Sequence, residues 1–224
     1  MCMWLQSSLH FAIALIHLSI YPSIHPSIHP SIHHIKASPY VLTLNPLQPH
    51  ADASNFSTTL SKGEAYSQLL SSLHALLEGQ RNWVANTANT ASLLWHLYHS
   101  LPAPSSAVNW SGFYVLDPTD PGNQLVLGPF MGKVACQTIR IGKGVCGAAA
   151  EGDGRTVLVK DVEAFPGHIA CDGDSKSEIV VAIRAAGKVV GVIDVDCAEL
   201  GGFDEEDQKG LEAIADLLGK SSDW

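Results

Sequence analysis

The sequence predicts an α+β fold: a central antiparallel sheet flanked by N- and C-terminal helices. Three observations lead there. Helical periodicity is confined to the two ends of residues 51–224, alternating apolar strands fill the middle, and Gly-, Pro- and Asp-rich turns join those strands in pairs.

The elements follow in order. Ser61 with Glu64 makes a capping-box pattern, and Tyr66, Leu69, Leu70, Leu73, Leu76 and Leu77 recur at helical spacing up to Gly79. A second helix is expected over Asn82–Ser100, burying Trp83, Ala91, Leu94, Trp95, Leu97 and Tyr98 before Pro102 ends it. Val108–Asp117 and Gln124–Phe130 read as a hairpin, Val134–Ile139 as a third strand, and Thr156–Val159 as a short one. Small residues make Gly144–Glu151 a short helix, and Ala164–Ser177 is a polar loop of the kind that carries function. Glu178–Ala185 and Val189–Val195 form a second hairpin around Gly187. Asp204 then caps a final helix with Phe203, Leu211, Ile214, Leu217 and Leu218 on its apolar side.

The first fifty residues are a different kind of sequence. They contain one Lys, no Asp or Glu, seven of the eleven His, and three successive Pro-Ser-Ile-His units over residues 22–33. Proline at every fourth position forbids a regular helix. The expectation is a low-complexity, disordered extension, or translated upstream sequence outside the working protein, followed by one catalytic domain over residues 51–224. Its histidines offer at most a loose hold on a transition metal. The apolar run Leu9–Tyr21 is too short to span a bilayer and lacks the flanks of a signal peptide.

Composition excludes some functions. A formal charge of −9 with no dense Lys/Arg block removes the electrostatic footprint of a nucleic-acid binder. The five cysteines (Cys2, Cys136, Cys146, Cys171 and Cys197) show no CxxC spacing and no histidine at zinc-motif distance. A chain of this size buries a core without disulfide staples. The cysteines of the folded region are therefore either small core residues or working thiols in a reducing compartment.

Two features do not fit a plain core. In the last strand, alternation puts Val190, Val192, Asp194 and Asp196 on one face and Gly191, Ile193 and Val195 on the other. Glu178, at the start of the preceding strand, falls near the two aspartates across the hairpin. Grouped carboxylates on an otherwise apolar face are costly unless they meet a cation, a donor or a proton. They are either a solvated strand end or a pocket that takes an ammonium group and holds a raised-pKa acid. The second feature is Cys171, which sits in the polar loop beside His168 and Asp172, where thiols are more exposed and reactive. Cys146 falls near a helix start, where the dipole favours a thiolate. Cys136 falls in the expected third strand. Taken singly, each is more often structural than catalytic, and Cys197 best fits a packed strand end.

The ordered motifs carry a resemblance. Asn109–Leu116 reads NWSGFYVL, Leu125–Cys136 LVLGPFMGKVAC, Gly142–Gly147 GKGVCG, Gly167–Asp172 GHIACD, Ser177–Val180 SEIV, Gly191–Asp196 GVIDVD and Phe203–Leu211 FDEEDQKGL. Together they resemble the GAF-domain free methionine-R-sulfoxide reductases over about residues 82–218, with the helix at 82–100 similar to fungal members. The resemblance implies a GAF-like domain and an oxidoreductase that reduces free L-methionine-R-sulfoxide to methionine. It implies Cys171 as the nucleophile that becomes a sulfenic acid, Cys136 as the thiol that resolves it, and Cys146 as an alternative resolving thiol. A thioredoxin-type reductant would restore the dithiol. Glu178, Asp194 and Asp196 would bind the amino group and the sulfoxide oxygen. Trp110 and Tyr114, on one strand face by alternation, would wall the methyl and thioether end, their plainer role being that of core aromatics. No metal and no organic cofactor is implied. The expected setting is cytoplasmic, without membrane or nucleic acid, and a homodimer is left open. The arm before about His50 departs from the family, and Cys197 matches no family role.

Two rival readings stand beside this one. A non-enzymatic GAF sensor of a small ligand would not need three cysteines beside a carboxylate pocket, and such sensors usually accompany an output domain, for which this length leaves no room. A thiol redox switch would use Cys171 and Cys136 without needing the carboxylates.

Overall fold

The computed structural model describes residues 51–168 and 173–224. The extension at 1–50 and Cys171, the expected nucleophile, therefore lie outside the described residues. The elements are α1 (Lys62–Leu77), α2 (Trp83–Ser100), β1 (Val108–Leu116), β2 (Gln124–Gly132), β3 (Thr138–Arg140), α3 (Gly144–Ala150), β4 (Thr156–Val159), β5 (Ser177–Ala185), β6 (Lys188–Cys197) and α4 (Glu205–Ser221). The strands form a six-stranded sheet in the order β3-β2-β1-β6-β5-β4, with every described pairing antiparallel. The α+β expectation is met, with helices at both ends of the strand run.

Local chemistry explains the helix ends. Ser61 accepts from the Glu64 N–H while the Glu64 carboxylate accepts from the Ser61 N–H, completing the box read from the sequence. Asn82 caps α2 through the Ala85 N–H, and Asp204 caps α4 through the Glu206 and Asp207 N–H groups.

The sheet has two unlike faces. One packs on α1, α2 and α4, where Phe113, Ile179, Ile183, Ile193 and Val195 meet Leu69, Leu73, Leu94, Leu97, Ile214 and Leu218. Ionic groups in this layer are paired: Lys62 bridges Asp204 and the fully buried Asp207. The Tyr66 hydroxyl also donates to Asp207 and shares a 2.6 Å bond with Tyr98. The other face carries Trp110, Tyr114, Val180 and Val192 under α3. Trp83 and Trp95, expected to be buried, are only half-buried, with Trp83 stacked on Trp224 at 6.0 Å.

One irregularity decides which face the last strand presents. Ile183 pairs with Gly191, but Arg184 pairs with Val189, so Val190 is an extra residue in β6. Val190 consequently packs against the helical layer while its neighbour Val189 packs on the α3 side. This corrects the simple alternation, which grouped Val190 with Val192, Asp194 and Asp196. Beyond the bulge the alternation holds as read.

Two other expectations are corrected. The strand expected over Val134–Ile139 is confined to Thr138–Arg140, so Cys136 lies in the β2–β3 loop. The reason is competition for backbone acceptors. The Trp110 indole N–H donates to the Lys133 carbonyl and the Tyr114 hydroxyl to the Cys136 carbonyl, which pulls this stretch over the sheet face and leaves Val134 89% exposed. In addition, β6 runs on to Cys197, two residues beyond its expected end.

Candidate active site

The site is built on three adjacent strands. β1, β6 and β5 run side by side, and register sets Trp110 opposite Asp196, Gly112 opposite Asp194 and Tyr114 opposite Val192. On the far side of β6, Glu178 stands opposite Asp196 and Val180 opposite Asp194. Paired residues share a face, so the two aromatics and three carboxylates expected from the sequence converge on one surface. The Trp110 and Tyr114 rings stack with centroids 5.8 Å apart, and Phe130 also stacks on Trp110, at 5.2 Å. Gly112 is required here, because a side chain at that position would collide with Trp110 and Phe130.

Trp110, Tyr114 and the three carboxylates line one pocket together with Val134, Ala135, Ile139, Cys146, His168 and Ser175. α3 lies across it and brings Cys146 to within 4.0 Å of the Glu178 Oε1. Gly147 lets α3 seat this closely, since a side chain there would run into the Arg140 carbonyl. The walls are tied across the mouth, where Lys133 pairs with Asp174 and the Asn109 amide donates to the Ser175 hydroxyl at 3.1 Å.

Electrostatics at the floor are unusual. Glu178 and Asp194 are both buried, at 6% and 5% exposure. Burial, then the Asp194 and Asp196 charges, push the Glu178 carboxyl well above the usual range. Burial raises Asp194 to about 6, with hydrogen bonds from Cys146 and Glu178 opposing the rise. Two carboxyls this close cannot both ionise freely. The pair therefore keeps a proton more readily than free carboxyls do, one member staying neutral while the other ionises. Asp194 Oδ1 is buried without a hydrogen-bond partner. His168 approaches from the loop, its Nε2 3.7 Å from Glu178 Oε2, and burial lowers its pKa.

The cysteines divide. Cys136 is disulfide-bonded, and Cys146 and Cys197 are free thiols, so the partner of Cys136 lies outside the described residues. Cys146 is buried, and its pKa is raised well above normal by desolvation and then by the Asp194 and Glu178 charges. That overturns the expectation of a dipole-stabilised thiolate: a seven-residue helix supplies too little to outweigh burial beside two carboxyls. Cys197 lies in the helical layer, buried, as its reading as a packed strand end required.

The sequence reading named His168 as a neighbour of Cys171 without giving it a role. It did not find Ile139, Val134 or Ser175 as lining residues. Their only signal was proximity to the motifs.

Comparisons with known proteins establish the family. A GAF-domain family model matches residues 105–220. The chain is 53% identical to the free methionine-R-sulfoxide reductase of Saccharomyces cerevisiae, over 77% of this chain and 93% of that protein. It is 40% identical to the Escherichia coli enzyme of the same name, over 72% and 90% respectively. The crystal structure of free methionine-R-sulfoxide reductase from Neisseria meningitidis in complex with its substrate superposes with a TM-score of 0.65 at 38% identity, covering 73% of this chain and 92% of that one. The chain belongs to the GAF-domain family of free methionine-R-sulfoxide reductases.

Proposed function

We propose that this protein reduces free L-methionine-R-sulfoxide to L-methionine with a cysteine thiolate, and that it is recycled by a thioredoxin-type dithiol in the cytoplasm. The observation that carries the proposal is the buried Glu178–Asp194 pair beneath the stacked wall of Trp110 and Tyr114. A free amino acid sulfoxide presents an ammonium group, a sulfoxide oxygen that must take up a proton, and a small apolar thioether end. The pocket answers each of these. Ionised Asp194, with Asp196 beside it, suits the ammonium. Protonated Glu178 suits the oxygen, and the aromatic wall suits the methyl and thioether.

In this reading the Cys171 sulfur attacks the sulfoxide sulfur while Glu178 protonates the oxygen. The oxygen ends on Cys171 as a sulfenic acid, two electrons pass to the substrate sulfur, and methionine leaves. The Cys136 thiol then attacks the sulfenic acid, forming a disulfide and releasing water. A thioredoxin-type dithiol reduces that disulfide by exchange and is itself oxidised. That Cys136 is disulfide-bonded supports its reading as a redox-active thiol. Cys146, a buried thiol with a raised pKa, is the poorer resolving candidate.

The test is consumption of free L-methionine-R-sulfoxide with thioredoxin recycling, for wild type and Cys171→Ser, with the S epimer and a peptide-bound sulfoxide as controls. Turnover of the free R form alone, lost in the variant, is expected. Fully reduced wild type that turns over nothing would sink the enzyme reading in favour of a ligand-sensing domain.

A further inference from the structure

The strands and α3 bring together three metal-ligating side chains that are far apart in sequence. One ligand atom from each of Cys146, Glu178 and Asp194 lies within 4.8 Å of the others, and all three residues are buried. Each comes from a different element (α3, β5 and β6), so backbone packing holds the cluster. Two further observations point to a ligand there. Asp194 Oδ1 is buried and accepts no hydrogen bond. The cluster also opens on the pocket, where His168 stands 3.7 Å from the second Glu178 oxygen.

We propose that Cys146, Glu178 and Asp194 form a binding site for a zinc-class divalent cation, whose fourth coordination position faces the pocket. Thiolate sulfur with carboxylate oxygens is a zinc-type donor set, and three protein ligands with one open position is a familiar arrangement for that ion. Ideal zinc bond lengths set sulfur and oxygen ligands about 3.6 Å apart. The observed 4.0 Å from Cys146 Sγ to Glu178 Oε1 requires only a small closing movement. Calcium or magnesium would find too few oxygens here.

The ion occupies the carboxylates that the preceding section gives to the substrate, so cation and sulfoxide exclude each other. This competition rests on that functional reading; the binding site itself does not. A zinc-class ion is then a competitive inhibitor that holds the enzyme idle without oxidising it.

Cobalt(II) added to the full-length protein, with the Cys136 disulfide intact, provides the test. We expect a near-ultraviolet thiolate-to-cobalt charge-transfer band with visible bands of tetrahedral intensity. The charge-transfer band is lost in Cys146→Ser and kept in Cys197→Ser and Cys2→Ser. Histidine-bound cobalt on residues 1–50 would not produce it. Asp194→Asn and Glu178→Gln keep the thiol, and each is expected to weaken cobalt binding by at least about tenfold. No charge-transfer band in wild type, or one that survives Cys146→Ser, overturns the site. In the activity assay, zinc should raise KM for the free sulfoxide and leave kcat unchanged. A cobalt band in a protein that turns over no sulfoxide would refute the functional reading and leave the site standing.

Discussion

The two faces of the sheet bury acidic groups in opposite ways. On the helical face Asp207 is fully buried but bound by Lys62 and Tyr66. On the pocket face Asp194 is also buried, has no basic partner among the described residues, and keeps one oxygen without a hydrogen bond. The first arrangement offsets the cost of burial with a local cation, as structural ion pairs do. The second leaves the cost standing, so a ligand that supplies the positive charge and the donors gains what the fold has left unsatisfied.

Substitutions sharpen this contrast. The largest effect is expected from exchanging the two faces at neighbouring positions. Ile193→Asp places an unpaired charge in the helical layer and should cost at least about 4 kcal/mol. Asp194→Val, one residue on, should keep the fold and raise Tm while abolishing sulfoxide binding. Urea unfolding of both variants checks this, and an unfolded Asp194→Val would refute the contrast. Next, Lys62→Met strands Asp207 and should cost about 3 kcal/mol, read by the same titration. A loss under about 1 kcal/mol would mean that the Tyr66 hydroxyl and the Asp204 N–H satisfy the carboxylate without Lys62.

The third effect is pH-dependent. Burial raises Asp194 from 3.8 to about 6. A raised carboxyl contributes stability that is fully present below about pH 4 and lost as pH rises through about 6. A rise of this size is worth about 3 kcal/mol. Unfolding free energy measured from pH 4 to 7 should therefore fall more steeply in wild type than in Asp194→Asn. Equal slopes would place the titration elsewhere. Substrate affinity should move the other way, with KM falling as pH rises past 6 and the carboxylate ionises. The smallest effect is expected at the pocket mouth, where Val134→Ser removes an exposed side chain and should change stability by less than about 0.5 kcal/mol.

Much of this was legible in the sequence, because period-two alternation is a local signal. It put Trp110 and Tyr114 together, separated Asp194 and Asp196 from Ile193 and Val195, and brought Glu178 across the hairpin. Capping residues marked the starts of α1 and α4 for the same reason. What the sequence could not supply was any outcome decided by long-range competition. The β2–β3 loop is drawn out of strand geometry by hydrogen bonds from side chains on β1, which no window around Cys136 contains. The suppressed thiolate of Cys146 depends on carboxyls 32 and 48 residues away in the chain. The bulge at Val190 leaves no local mark, since Val189 and Val190 are equally good strand residues.

That bulge gives the hairpin an arithmetic of its own. A strand counts its faces by odd and even, and Val190 is the single residue that brings Asp194 and Asp196 into step with Glu178 and Trp110. Between the turn at Gly187 and the first aspartate, a change in length of two residues preserves parity, whereas a change of one reverses it. Reversal would deliver both aspartates to the helical layer and Ile193 and Val195 to the pocket. The segment is thus constrained in parity more than in composition: many side chains would serve at Val189 and Val190, but whether their number is odd or even is fixed.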